Sequence, residues 1–120
     1  MKISQEVKNA VAEYSPAMVA TVDKTGKPNV SAKGSLRVID DEHLLFADIR
    51  SPRTIVNLKE NPQVAVICLN PTTRKGCRIW GRTEITTSGE LFDQFSKEYA
   101  ARNMKVNHVV KIFVEEAISF

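Results

Sequence analysis

Short β-strand patterns joined by turn signals, with few helix patterns between them, constrain this chain more than any other feature. Runs rich in β-branched and other apolar residues predict strands at residues 17–22, 28–35, 43–47, 63–69, 77–86 and 106–118, and residues 36–39 extend the second strand or form another. A doubly wound sheet would need helices between most of these strands, and they are missing. The chain is therefore predicted to be mainly β, with about six antiparallel strands in a closed or partly closed barrel.

Three helix patterns complete a predicted order of α-β-β-β-α-β-β-α-β. The first helix is capped by Ser4, the second by Ser51 and the third by Ser88. Pro52 suits the first position of the second helix, because its missing N–H has no helical partner there. The strand at 63–69 after this helix is an almost continuous apolar run, which predicts burial on both faces.

The length of the chain predicts one domain that spans residues 1–120. Its 120 residues are 42% hydrophobic and 26% charged, as in an ordinary globular protein. A domain of this size has little room for a deep ligand cavity of its own, so we expect a cofactor at the surface or between subunits. The formal net charge of +3 is too small and too evenly spread for a nucleic-acid arm, but it suits a small anionic ligand.

Several other classes of protein are disfavoured by the sequence. No apolar run reaches 18 residues, and the amphipathic N-terminal segment carries Glu6, so neither a membrane span nor a secretory signal is expected and the predicted location is cytoplasmic. Cys68 and Cys77 are predicted to be reduced and packed, with a disulfide or redox role as the alternative. His43 and His108 lack neighbours suited to metal binding, so no metal site is expected.

The segment Ser51-Pro52-Arg53-Thr54 is the most informative candidate for chemistry. A helix N-terminus offers unpaired N–H groups and a partial positive charge. Ser51 and Thr54 add hydroxyl groups, and Arg53 adds a planar cation that suits phosphate. The segment therefore favours a phosphate site, and the alternative is a well-capped surface helix with one solvated arginine.

Three further features are candidates for ligand contacts. Small and hydroxyl-bearing residues at 30–35 would let a planar ligand approach the backbone, and Lys33 could reach an anion; the alternative is an edge strand with a solvated lysine. Trp80 could stack on a ring, although a single tryptophan is more often a core or interface residue. The terminal Phe120 either packs on a partner or ligand or belongs to a frayed end.

The order of several short motifs resembles the FMN-binding split β-barrel family related to pyridoxamine 5′-phosphate oxidase, in particular its small bacterial members. The resemblance covers nearly the whole chain. Its landmarks are Gly26-Lys27-Pro28, residues 36–40, the run Arg53-Thr54-x-x-Asn57-Leu58 with Asn61-Pro62 after it, and Ile79-Trp80-Gly81. The resemblance implies a homodimer with two FMN sites at the subunit interface, and an oxidoreductase or electron carrier of unspecified substrate.

The resemblance also assigns residues to the FMN site. By analogy, Arg53 and Thr54 hold the phosphate. The other contacts to FMN, including those to the isoalloxazine edge, come from three other parts of the chain. Ser31, Ala32 and Lys33 line the phosphate and ribityl side, Ala47, Asp48 and Ile49 pass the ring edge, and Trp80 and Phe120 come from near or across the interface.

One departure from the family limits what can be carried over. Pyridoxamine phosphate oxidases proper have a longer chain with an Arg-x-His-type motif near the C-terminus, and nothing after Phe113 matches it. Vitamin B6 oxidase activity is therefore not expected. Two alternatives to FMN remain: a split barrel for another cofactor, such as haem or a deazaflavin, and an oligonucleotide-binding barrel, which Trp80 alone supports poorly.

Overall fold

A computed structural model describes all residues from 1 to 120. It contains three helices and seven strands: α1 (Gln5–Glu13), β1 (Ala17–Val22), β2 (Pro28–Lys33), β3 (Arg37–Val38), β4 (His43–Asp48), α2 (Pro52–Glu60), β5 (Gln63–Leu69), β6 (Gly76–Thr86), α3 (Glu90–Ala100) and β7 (His108–Ser119). None of the three helices is long and apolar enough to cross a membrane.

All seven strands belong to one antiparallel sheet in the order β2-β1-β5-β6-β7-β4-β3. The sheet curls into a half-barrel, so the predicted mainly β split-barrel fold is confirmed. The strand count is seven and not six, because Arg37 and Val38 pair with Leu45 and Leu44 as a separate short strand instead of extending β2. The bend at Gly34 and Ser35 separates the two.

The interior of the half-barrel holds the main hydrophobic core. Val19, Leu44, Phe46, Ile79 and Ile112 come from different strands and are fully buried there. Helix α1 contributes Val7, Ala10 and Val11, and helix α2 contributes Ile55 and Leu58. A second, smaller cluster lies under α3, where Phe95 and Tyr99 pack on Leu45, Ala47 and Val109.

Strand β5 differs from its prediction. Val64, Val66 and Cys68 face the core, whereas Ala65 and Ile67 on the other face are only partly buried. The prediction of burial on both faces was therefore wrong for the outer face, because no helix of this chain covers that part of the sheet. The outer face is apolar and open.

The helix starts are partly as predicted. Ser4 Oγ accepts a hydrogen bond from the Val7 N–H at 3.3 Å, which confirms the cap of α1. Helix α3 begins at Glu90 after Gly89, whose φ of +100° is the left-handed conformation that glycine allows, and not after Ser88. Ser51 precedes α2, but its hydroxyl makes no capping bond and is used elsewhere.

Candidate functional site

A cleft of about 730 Å³ opens beside the junction of strands β2 and β4. Three parts of the chain form it: the end of β2 with the bend that follows, the end of β4, and the segment between α3 and β7. Its lining residues are Ala32, Lys33, Gly34, Ser35, Ala47, Ile49, Arg50, Tyr99, Arg102, Asn103, Met104, Lys105 and Asn107. The volume falls in the range of roughly 300–1,000 Å³ that is usual for small-molecule sites.

The cleft is strongly cationic. Lys33, Arg50, Arg102 and Lys105 line it, and none of its lining residues is acidic. The Arg102 guanidinium lies 5.0 Å from the centre of the Tyr99 ring, which is within cation–π distance. Four positive charges without a carboxylate among them fit an anionic ligand, such as one that carries phosphate.

Two hydrogen bonds attach the other walls of the cleft to the end of β4. The Ala47 N–H donates to Ser35 Oγ at 2.8 Å, which ties the bend after β2 to the end of β4. Asn107 donates from its amide to the carbonyl oxygen of Ile49 at 3.0 Å, which ties the opposite wall to the same strand end. The strand ends thus give the cleft a fixed wall, and Asn107 attaches the exposed segment between α3 and β7 to that wall.

A chain of hydrogen-bonded polar groups lies directly behind the cleft, three of them buried and the fourth, His108, half-buried. The Lys33 amine donates to Ser51 Oγ. Ser51 in turn donates to Asp48 Oδ1 twice, from its hydroxyl at 2.6 Å and from its backbone N–H at 2.8 Å. Asp48 Oδ2 lies 2.8 Å from His108 Nδ1. Four side chains from β2, β4, the turn before α2 and β7 therefore form one network.

The contacts within this network shift the pKa values of Asp48 and Lys33. Burial alone would raise the pKa of Asp48, but the hydrogen bonds from Ser51 and His108 and the charge of Lys33 outweigh it and hold this pKa below its usual range. Burial lowers the pKa of Lys33, and the negative charge of Asp48 opposes that effect. Asp48 is 3% exposed, so its carboxylate depends on these partners for solvation.

The two predicted phosphate ligands lie on the first turn of α2. Thr54 is 1% exposed, and its hydroxyl oxygen lies 3.0 Å from Ser31 Oγ and 3.4 Å from the amide nitrogen of Asn29. Its side chain therefore joins α2 to β2. Arg53 is exposed, makes no ion pair, and is not among the residues that line the cleft.

The ten residues predicted for the site separate into four groups. Ala32, Lys33, Ala47 and Ile49 line the cleft. Asp48 lies behind it in the polar network, whereas Ser31, Thr54 and the exposed Arg53 lie where β2 meets the first turn of α2. Trp80 and Phe120 are outside the cleft of this chain.

Trp80 lies on the open outer face of the sheet. It lines an apolar groove of about 340 Å³ together with Met18, Val30 and Ile67. Phe120 follows the last residue of β7 and is 48% exposed, but its backbone is paired with Gly76 through hydrogen bonds of 3.0 and 3.1 Å. The terminus is therefore attached to the sheet and not frayed.

Sequence reasoning missed the cationic residues on the far wall of the cleft. Arg50, Arg102 and Lys105 belong to it, and so does the ring of Tyr99. The only signal in the sequence is that Arg102 and Lys105 follow a helix closely, and nothing local shows that this segment faces β2. In the sequence, His108 has no metal-binding neighbours, and no sequence signal predicted its contact with Asp48.

Comparison with known proteins identifies the family. The family model described as pyridoxamine 5′-phosphate oxidase matches residues 3–118. The chain belongs to this family of split-barrel proteins, which confirms the resemblance based on its motifs.

Individual relatives agree with this assignment. HupZ from Group A Streptococcus is 30% identical, with a TM-score of 0.89 over 98% of this chain and 94% of that protein. An FMN-binding protein from Syntrophomonas wolfei has a TM-score of 0.86 at 20% identity, over 96% of this chain and 84% of that one, and at this identity it shows the fold alone. The uncharacterized protein MJ0282 of Methanocaldococcus jannaschii is 35% identical over 72 residues, which are 58% of this chain and 48% of the archaeal protein. The aligned part is thus about half the length of that relative.

More distant proteins of the same fold are named for different cofactors. An F420 reductase has a TM-score of 0.72 at 19% identity, over 97% of this chain and 98% of that one. HutZ, a haem storage protein from Vibrio cholerae, has a TM-score of 0.71 at 23% identity, over 100% and 94% of the two chains. The split-barrel neighbours thus include proteins named for flavin-type cofactors and for haem.

Proposed function

We propose that this protein is an FMN-binding flavoprotein that acts as an oxidoreductase or electron carrier. The observation that carries the proposal is the cleft, in which Lys33, Arg50, Arg102 and Lys105 meet without an acidic side chain. A cofactor that carries phosphate fits this charge, because Asp48 offsets only Lys33, whereas Arg50, Arg102 and Lys105 have no ion-pair partner. Bound FMN supplies hydride and electron transfer through its own ring, so the protein needs no separate acid or base for that chemistry.

The proposed contacts follow the geometry of the strand ends. Ala32, Lys33, Ala47 and Ile49 line the cleft where they can contact the cofactor, and the backbone of Asp48 runs between the last two. Arg53, which has no ion-pair partner, and the free N–H groups at the first turn of α2 are the proposed phosphate anchor. Thr54 takes part through its backbone, since its hydroxyl already contacts Ser31.

We also propose that the protein is a homodimer whose second copy covers the outer face of the sheet. Met18, Val30, Leu69, Ile118 and Phe120 are large apolar side chains exposed on or beside this face. An apolar patch of this kind is typical of an interface. In the dimer, Trp80 and Phe120 would approach the flavin from near or across the interface.

A cytoplasmic location is part of the same proposal. Cys68 and Cys77 are buried and unbridged. Free thiols that lie opposite each other on neighbouring strands fit a reducing compartment.

The absorption spectrum of the purified protein tests the cofactor. We expect the two visible bands of an oxidised flavin, either as isolated or after FMN is added and excess is removed by gel filtration. A Soret band together with no retained FMN would overturn the proposal in favour of a haem-binding split barrel. No retained FMN, but retention of a deazaflavin under the same conditions, would overturn it in favour of that cofactor. If the protein retains neither FMN nor the deazaflavin, FMN binding is refuted.

A further inference from the structure

We infer that His108 is a positioning residue that holds the Lys33 amine in the cleft by way of Asp48 and Ser51. The inference rests on the proposed FMN site, because it gives Lys33 its ligand. His108 does not line the cleft, so its influence has to pass through the side chains between.

The path is continuous in the structure. His108 begins β7 directly opposite Asp48, the last residue of β4, and its Nδ1 lies 2.8 Å from Asp48 Oδ2. The other carboxylate oxygen accepts two hydrogen bonds from Ser51. Ser51 Oγ then accepts the bond from the Lys33 amine. Each side chain of the path is therefore bonded to the next.

The burial of Asp48 explains why the histidine matters. A carboxylate that is almost fully excluded from water needs a partner on each oxygen, since an unpaired buried oxygen loses its solvation without compensation. Ser51 satisfies Oδ1, and His108 is the only side chain bonded to Oδ2. Without His108, the carboxylate is expected to rotate or to admit water, and either change loosens Ser51.

Lys33 depends on that same carboxylate. It is buried at the cleft wall, and Asp48 is the charge that offsets its burial. Ser51 is the only hydrogen-bond partner of the amine within the protein. The centre of the Phe46 ring lies 5.7 Å from the amine. A loosened Ser51 therefore frees the amine from the position at which it meets an anion in the cleft.

The test compares three variants for FMN affinity, measured by the quenching of flavin fluorescence. His108→Ala removes the donor to Asp48 and should weaken FMN binding about tenfold, as for loss of one charge-assisted hydrogen bond. His108→Asn places an amide near the position of Nδ1 and should restore affinity to within about threefold. His43→Ala is the matched control, because His43 Nδ1 makes a similar contact of 2.9 Å with Asp40 at an exposed site, and it should leave affinity unchanged.

A second measurement does not depend on FMN. The rate at which an amine-specific acetylating reagent modifies Lys33, followed by mass spectrometry, should rise several-fold in His108→Ala and return toward the wild-type rate in His108→Asn. His108→Leu, which keeps volume without a donor, replaces His108→Ala should the latter not fold.

The outcomes separate the two proposals. Wild-type protein that binds no FMN, yet shows the expected pattern of Lys33 modification, refutes the FMN site and keeps the positioning role. Wild-type protein that binds FMN, with equal affinities in His108→Ala and wild type, refutes the positioning role. The same holds when His108→Asn is as weak as His108→Ala, since that would assign the loss to packing.

Discussion

At the scale of single residues, the site is defined by which polar groups are already engaged within the protein. Thr54 and Ser51 were predicted from the sequence as hydroxyl donors to phosphate, and both hydroxyls have protein partners. Arg53 has none, and it projects from the first turn of a helix that starts with proline. In the phosphate anchor that we propose on α2, the side-chain part is therefore Arg53.

Replacement of Arg53 by alanine tests that anchor. Loss of one charge-assisted bond to phosphate should reduce FMN affinity by about 10- to 100-fold, whereas riboflavin, which lacks the phosphate, should bind nearly as before. Isothermal titration with both ligands measures the difference. Lys59→Ala, at the other end of the same helix, is the control for a general loss of charge. Equal losses for FMN and riboflavin would mean that Arg53 acts through folding.

The Asp48 carboxylate predicts a specific pH dependence of stability. Its pKa is lower in the folded protein than in the unfolded chain, where it is about 3.9. Its contribution is therefore complete above that value and is lost as the pH falls through the folded pKa. Asp48→Asn should lower the free energy of unfolding by about 1–3 kcal/mol at pH 7, because the charged partner of Lys33 and His108 is removed.

Urea unfolding of the ligand-free proteins at pH 7 and pH 3 measures this effect. The difference between wild type and Asp48→Asn should shrink at the lower pH. Asp40→Asn, an exposed carboxylate that also contacts a histidine, should change stability by less than about 1 kcal/mol. A difference for Asp48→Asn that is the same at both pH values would contradict the assignment.

At the scale of elements, strand β6 shows why a glycine follows Trp80. The pairing of β6 with β7 shifts register between Trp80 and Gly81, which is a β-bulge. A Cβ atom at Gly81 would lie 2.4 Å from the carbonyl oxygen of Phe113 and 2.7 Å from the side chain of Ile112. The glycine thus permits a close approach of two strands at the bulge.

Gly81→Ala should therefore destabilise the protein. To relieve a backbone contact of this length, β6 and β7 have to separate. We expect the free energy of unfolding to fall by about 1–3 kcal/mol or more. Gly34→Ala is the matched control, since its Cβ would meet only Ser15 Oγ at 4.0 Å and should cost less than about 1 kcal/mol. Thermal unfolding of the two ligand-free variants compares them. Similar melting temperatures for both would show that the bulge adapts.

At the scale of the whole molecule, the curled sheet has one face packed on the core and another that is partly open. Helix α3 covers the outer side of β4 and β7, but the outer side of β1, β2, β5 and β6 carries the groove around Trp80 without a covering helix. This open area is the surface that the proposed second copy would cover.

Replacement of Val30 by aspartate tests the dimer. Val30 is 63% exposed on the outer face of β2, so a charge there should not disturb the core but should disfavour an apolar interface. Wild type should sediment at about twice the chain mass of 13.4 kDa, and Val30→Asp should sediment near the chain mass at micromolar concentration. Val56→Asp, at an equally apolar exposed position on α2, should remain dimeric. A monomeric wild type that still binds FMN fully would exclude a shared site.

Local patterns in the sequence determined the elements and the family. Alternation, turn residues and proline predicted the strands and the three helices to within a few residues, because these signals act on the backbone nearby. Ser4 was a correct cap for the same reason. The sequence left open whether residues 36–39 extend the second strand or form another, since two residues of strand have no periodicity. The start of α3 at Glu90 after Gly89 was missed, because Ser88 is the better cap by residue type and lies next to it.

Only the tertiary structure decided how the site is built. The meeting of Lys33, Asp48 and His108 joins residues up to 75 positions apart, and it exists because β4 pairs with β7 while β2 lies across from the turn before α2. The basic wall of Arg102 and Lys105 faces β2 because α3 packs on the outer side of β4. A sequence specifies which side chains can hold an anion, but sheet register and helix packing decide which of them share one cleft.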